Sequence, residues 1–279
     1  MPGVVELVGL FVLGLLVGTY GTLVGAGGGP LIVPALLLIF HLPPQQAVGT
    51  SLTVVFLNAL SGTISYARQK RVDYRTGLRF AVATIPGSII GAYVSTFFTG
   101  RLFGIVFGVL LLLLAGFIIF RPREAELAVK EEVDASLPPW YTRRVITDVW
   151  GERYEYTFNE PAGVALSFVV GFLSSILGIG GGIIHVPAMV YLFSFPPHIA
   201  TATSHFILAI SALVGAGSHL LLGHVVPRYG LPMALGVVLG AQLGARLSQR
   251  LHGVWILRFL SLALVLVGLR LILGQVVPG

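Results

Sequence analysis

Gly25-Ala26-Gly27-Gly28-Gly29 followed by Pro30 is the stretch that decides the architecture, because it returns as Gly178-Ile179-Gly180-Gly181-Gly182. An offset of 153 residues carries the surroundings across without a gap. Pro34 falls on Pro187, Pro43-Pro44 on Pro196-Pro197, Thr50-Ser51 on Thr203-Ser204, Gly62 on Gly215, Gly87 on Gly240 and Gly91 on Gly244. The chain is thus one unit of about a hundred apolar residues written twice. Four glycines in five positions are a poor helix interior, since each costs about 1 kcal/mol relative to alanine. They break the helix and leave backbone N–H groups uncovered, and Pro30, with its fixed φ, restarts it.

Working outward, the 279 residues are 56% hydrophobic and only 10% charged, against roughly 25% charged in an ordinary soluble domain. Apolar runs of about 20 residues recur, each long enough to cross a bilayer core. Arg101 to Arg121 encloses one, and Val254 to Leu273 holds another, interrupted by Arg258 and Arg270. Pro2 to Val24 lacks the basic start of a signal peptide and has a repeat mate inside the chain, so it reads as a retained helix. Five segments are expected per copy. In the first they are Val4–Val24, a short Pro30–Phe40, Gln45–Ala67, Thr76–Phe98 and Leu102–Phe120. In the second they are Pro161–Leu177, a short Ile183–Phe193, His198–Leu222, Gly230–Leu251 and Val254–Leu273. The short second segment spans about 16 Å as a helix, too little for a core of about 30 Å. It must be broken or re-entrant, with its loose backbone buried in protein or lining a cavity. The expected fold is an all-α polytopic membrane protein of two structural repeats, residues 1–120 and 161–279, joined by a linker, 121–160.

Basic residues set the orientation. Arg68, Lys70, Arg71, Arg75 and Arg79 crowd the loop between segments three and four of the first copy, and the next loop holds only Arg101. In the second copy the weighting swaps: Arg228 stands alone in the equivalent loop, and Arg246, Arg250 and Arg258 flank the following one. By the positive-inside rule, equivalent loops face opposite sides and the repeats are inverted. The linker then lies in the cytoplasm, with both termini outside. Its first part, Glu124 to Asp134, is charged and reads as helical or mobile. Its second, Trp140 to Phe158, is aromatic and basic, and reads as lying along the membrane interface or as a regulatory element.

The residue inventory decides the sign of a substrate. Outside the linker there are eleven basic residues and only two acids, Glu6 and Asp73, neither in the middle of a predicted membrane helix. There is no cysteine, which removes thiolate metal ligands and cysteine nucleophiles. A cation would want a carboxylate. An anion wants N–H donors and hydroxyls, and these are present. Short-helix N-termini behind Gly27, Gly28, Gly29 and Gly180, Gly181, Gly182 offer N–H groups and the positive end of a helix dipole. Thr50 and Ser51 with Asn58, and Thr203, Ser204 and His205, offer hydroxyl, amide and imidazole groups at matched places. A single hydroxyl in a membrane helix often only bonds its own backbone, but a matched Thr-Ser pair in each copy argues for a site. His205 is placed to hold charge or a coupled proton, and His185, on the short segment, is a second proton candidate. His219 and His224 fall at the outer end of their helix. Together the histidines raise a metal pathway, which the lack of acidic companions and of ligand spacing argues against. No cofactor, metal or nucleic acid is called for. Gly87 with Gly91 and Gly240 with Gly244 read as close-packing helix faces, inside the chain or in a homodimer.

With these residues in view the chain resembles the TauE/SafE family of sulfite exporter and sulfonate permease-like membrane proteins. The resemblance rests on GAGGGPLIVPALLL at Gly25 to Leu38, GIGGGIIHVPAMV at Gly178 to Val190 and ATATSHF at Ala200 to Phe206. It covers both repeats and leaves out the linker, which is longer than a typical member's connection. It implies secondary transport of a small sulfur-containing anion, such as sulfite, sulfoacetate or another organosulfonate, usually outward, by a protein that is not an enzyme. An anion channel and a membrane-embedded assembly factor for sulfur compounds are the alternatives. A Ser204–His205 nucleophile pair fails because neighbours on a helix point about 100° apart.

Overall fold

A computed structural model describes residues 3–98, 100–120, 138–250 and 253–276. In chain order the elements are α1 (Val4–Val24), α2 (Gly29–Leu38), α3 (Pro44–Arg68), α4 (Tyr74–Ser95), α5 (Gly100–Phe120), β1 (Tyr141–Thr147), β2 (Arg153–Asn159), α6 (Glu160–Leu177), α7 (Gly182–Tyr191), α8 (Pro197–Leu221), α9 (Pro227–Ser248) and α10 (Gly253–Val276). All ten expected segments are helices, with ends moved by at most three residues. Local chemistry sets the shifts: Asp73 caps α4 by accepting the Thr76 N–H, and Pro227 occupies the first turn of α9. Among the described residues, seven helices are long and apolar enough to cross a membrane, and the protein is an all-α polytopic membrane protein. Helices α2 and α7 have ten residues each, about 15 Å, half a bilayer core.

Tight backbone contact organises the bundle. A β-carbon on Gly87 or Gly91 would strike the Phe168 or Phe172 carbonyl of α6. One on Gly240 or Gly244 would strike the Leu15 or Thr19 carbonyl of α1. Both glycine rows are therefore occupied within one chain, joining α4 to α6 and α9 to α1, as small residues do where membrane helices touch. Helices α3 and α8 lie antiparallel at the centre. Thr50, near the start of α3, accepts the Val226 N–H just beyond α8 at 2.9 Å. Thr203, near the start of α8, accepts the Asp73 N–H just beyond α3 at 3.0 Å. Thr50 lies about 27 Å along α3 from its end at Arg68, and Thr203 stands at the same distance from the end of α8, so the two junctions sit toward opposite ends of the molecule.

The one departure from helix among the described residues is the antiparallel hairpin β1–β2. The Trp140 to Phe158 stretch folds back over the end of the bundle as this hairpin. Alternation explains this: Tyr154, Tyr156 and Phe158 share one face of β2. Phe158 and Tyr156 are buried against Phe195 (ring centroids 5.0 and 4.2 Å), and Phe158 also meets Phe80 and Phe193. Asp148 closes the turn by accepting the Trp150 and Glu152 N–H groups. Its other oxygen meets Arg71 at 3.0 Å in a pair hidden from solvent, with Trp150 lying 4.8 Å from the Arg71 guanidinium. Burial works to raise the Asp148 pKa, but Arg71 and the two N–H groups outweigh it and hold the carboxyl below its ordinary range. Asp73 completes the attachment, accepting from the Tyr156 hydroxyl at 2.8 Å with Arg144 at 3.5 Å. The Glu124 to Asp134 stretch lies outside the described residues.

Candidate substrate site

Two broken helices meet at the middle of the bundle. The chain leaves α1 through Gly25, Gly27 and Gly28 at φ of 80°, 72° and 86°, and leaves α6 through Gly178, Gly180 and Gly181 at 71°, 78° and 77°. Side chains disfavour this left-handed region, which is why both junctions need glycine. The two loops then lie against each other. A β-carbon on Gly29 would sit 2.6 Å from the Gly178 carbonyl oxygen, and one on Gly182 would strike the Gly25 carbonyl. Val55 and Leu208 fill the space beside both Gly27 and Gly180.

Both loops are buried. Among the described residues, the N–H groups of Gly28 and Gly29 and of Gly180, Gly181 and Gly182 donate to no acceptor. Buried backbone donors are nearly always satisfied, so five at one place, at the positive ends of α2 and α7, mark a position that wants an acceptor. No acidic group is at hand: the buried carboxylates among the described residues, Asp73 and Asp148, are both under the hairpin.

The matched hydroxyls hold this arrangement. Ser51 donates to the Gly178 carbonyl at 2.9 Å and Ser204 to the Gly25 carbonyl at 3.2 Å. Each half thus grips the other's glycine loop by its carbonyl side. Thr50 and Thr203 brace the two ends through their accepted backbone N–H bonds. His205, fully buried, lies beside α1 with its Nε2 3.2 Å from the Thr22 hydroxyl. Thr22 donates to Asn58 Oδ1 at 3.1 Å, so its oxygen can only accept from His205, whose Nε2 carries the hydrogen. The Asn58 Nδ2 group is buried without a partner. His185 joins a different chain of bonds: Ser167 donates to the Gly163 carbonyl and receives from His185 Nε2 at 3.2 Å, beside Gly181. The two histidines therefore flank different glycine loops. Thr22 was not singled out from the sequence, yet its mate at the same offset is Ser175, and both stand three residues before a loop's first glycine. That match was the available signal.

Fold and site together define a multi-pass α-helical membrane protein of the transporter class, with its polar backbone gathered at a duplicated helix break. A profile described as Sulfite exporter TauE/SafE matches residues 10–271, and the chain belongs to that family. It is 38% identical over 270 residues to the probable membrane transporter protein YunE of Bacillus subtilis, covering 94% of this chain and 96% of the relative. It is 26% identical to the probable membrane transporter protein MJ0441 of Methanocaldococcus jannaschii, covering 95% and 94%. A probable membrane transporter protein of a Sinorhizobium species, ORF9, is 28% identical over 81% of this chain and 77% of its own. No solved structure matches the chain significantly.

Proposed function

We propose that the protein is a secondary transporter exporting a small sulfur-containing oxyanion, sulfite or an organosulfonate such as sulfoacetate, across the prokaryotic inner membrane, and that it has no catalytic role. The carrying observation is the set of five buried N–H groups without acceptors on two apposed glycine loops. Gly28 and Gly29 with Gly180, Gly181 and Gly182 cradle the anionic head; Gly27, expected to join them, instead donates its N–H to the Gly21 carbonyl at 3.1 Å and shapes the loop. Ser51 and Ser204 act through the loops, since their protons are committed to loop carbonyls and leave the N–H sides facing the substrate. Thr50 and Thr203 tie each half to the turn that closes one end. Asn58 Nδ2 supplies a further donor, and His205, linked through Thr22, carries charge or the coupled proton, with His185 its counterpart beside the other loop.

The halves 1–120 and 161–279 act as inverted repeats that rock about this site, opening one end at a time. The matched pairs Thr50–Val226 and Thr203–Asp73, at opposite ends, support that reading. The hairpin of the 121–160 linker closes the cytoplasmic mouth, and both termini lie outside.

The test is binding of sulfite, sulfoacetate, taurine, sulfate and chloride to purified protein by thermal shift and calorimetry. A ligand at 100 times its dissociation constant stabilises the fold by about 2.7 kcal/mol. The expected result is stabilisation by sulfite or one sulfonate that Ser204→Ala and Asn58→Leu weaken. A flat panel in several detergents sinks the oxyanion reading.

A further inference from the structure

Tyr66 and Arg71 of the first half correspond, at the 153-residue offset, to His219 and His224 of the second. The first two are both held in place. The Tyr66 hydroxyl donates to the Thr22 carbonyl at 2.8 Å, and Arg71 is held by Asp148 of the hairpin. His219 repeats the first of these contacts: its Nε2 meets the Ser175 carbonyl at 2.9 Å, and Ser175 is the mate of Thr22. At that end, however, no hairpin follows. Among the described residues no ion pair reaches either ring, and His219 Nδ1 faces His224 Nδ1 at 3.0 Å.

The chemistry of that contact is defined. A carbonyl only accepts, so the hydrogen of neutral His219 sits on Nε2 and its Nδ1 presents a lone pair. Metal-binding histidines are oriented in this way, by giving the other ring N–H to a carbonyl. Two metal–nitrogen bonds of about 2.1 Å, meeting at nitrogens 3.0 Å apart, subtend about 90°, the cis angle of tetragonal or octahedral coordination. Opening the pair to about 3.3 Å suits a tetrahedral ion instead. Imidazole favours copper, nickel and zinc, and the absence of carboxylate oxygens disfavours calcium and magnesium.

We propose that His219 and His224 form a two-ligand site for a divalent transition-metal ion, Cu²⁺, Ni²⁺ or Zn²⁺, with water in the remaining positions. The site is open to entry: His224 is half-buried, and a β-carbon on the adjoining Gly223, at φ 73°, would meet nothing within 4 Å. A bound ion ties the end of α8 to the turn before α9. That turn already touches the other half, where the His224 carbonyl lies against Gly49 and the Val226 N–H meets Thr50. The ion therefore braces the end of the molecule that lacks the hairpin, and the site stands whether or not the substrate is an oxyanion.

The test is titration of Cu²⁺ into the full chain, purified through a tag without histidine, at pH 7.5, read by electron paramagnetic resonance, with Zn²⁺ thermal shift alongside. One equivalent showing coupling to two nitrogens is expected. His219→Tyr retains a hydroxyl for the Ser175 carbonyl, as Tyr66 does for Thr22, and so separates lost ligation from lost structure. His224→Gln lies in an open turn and is tolerated by the fold. Each should weaken binding by at least the roughly 10–100-fold typical of losing an outer-shell partner, and His198→Gln should leave it unchanged. Cu²⁺ without two coupled nitrogens, or bound equally well by His224→Gln, overturns the site and leaves the pair a hydrogen bond only.

Discussion

Gly182 has no room for a β-carbon, because the Gly25 carbonyl of the other loop occupies that place. Gly182→Ala should therefore cost about 1–3 kcal/mol, the usual penalty of overpacking, read as a fall in melting temperature in detergent. Gly217→Ala, inside α8, is the control: a β-carbon there meets nothing within 4 Å, and the change should leave stability unaltered or raise it by up to about 1 kcal/mol. Equal effects at both positions would mean that the loops are not in contact. His205 belongs to the same scale. Its Nε2 hydrogen is committed to Thr22, and through it to Asn58, so charge on the ring is felt by the whole chain of bonds. His205→Ala should slow transport and flatten its dependence on pH. An unchanged rate and profile in that variant removes the residue from the mechanism.

The hairpin is the element whose behaviour is easiest to isolate. Its attachment depends on the hidden ion pair Arg71–Asp148, on Asp73 with Tyr156 and Arg144, and on an aromatic cluster drawn from both halves. Removing one partner of a buried pair strands the other, at a cost of about 3–5 kcal/mol. Asp148→Ala should therefore raise amide hydrogen exchange across 141–159 well above that of α8, and a reversed pair, Arg71→Asp with Asp148→Arg, should recover part of the protection. The pH dependence has a definite sign. Asp148 has a depressed pKa in the folded protein, so its contribution is complete above the ordinary aspartate value of about 3.9. It is lost as pH falls from there through the depressed value. Hairpin protection that is flat across that acid range would show that the ion pair contributes nothing.

For the whole molecule, the two ends differ in chemistry. Position 71 is an arginine clamped by the hairpin, and position 224 is a histidine facing another histidine. Because the chain has no cysteine, single cysteines report sidedness directly. Trp150→Cys, in the exposed hairpin turn, should react with a membrane-impermeant thiol reagent only from the cytoplasm. Gly223→Cys, in the open turn at the other end, should react only from outside. Labelling of both from one side would contradict the inverted arrangement.

The sequence by itself determined the membrane class, the ten helices and the duplicated break. Apolar runs of bilayer length and clustered glycines act locally, and nothing in the tertiary structure can overrule them cheaply. It also marked Thr50, Ser51, Thr203, Ser204 and His205 as a matched polar set, because the offset pairs them. What those groups do was decided by the tertiary structure, since a hydroxyl's partner is whatever backbone lies opposite. Ser51 and Ser204 reach across to loops 127 and 179 residues away in the chain. Thr22 drew no notice until folding set it between His205 and Asn58. The hairpin escaped for a related reason. Its strands carry the period-two pattern of Tyr154, Tyr156 and Phe158, but only the aromatic end of the bundle, assembled from Phe80, Phe193 and Phe195, gives that face something to bury against.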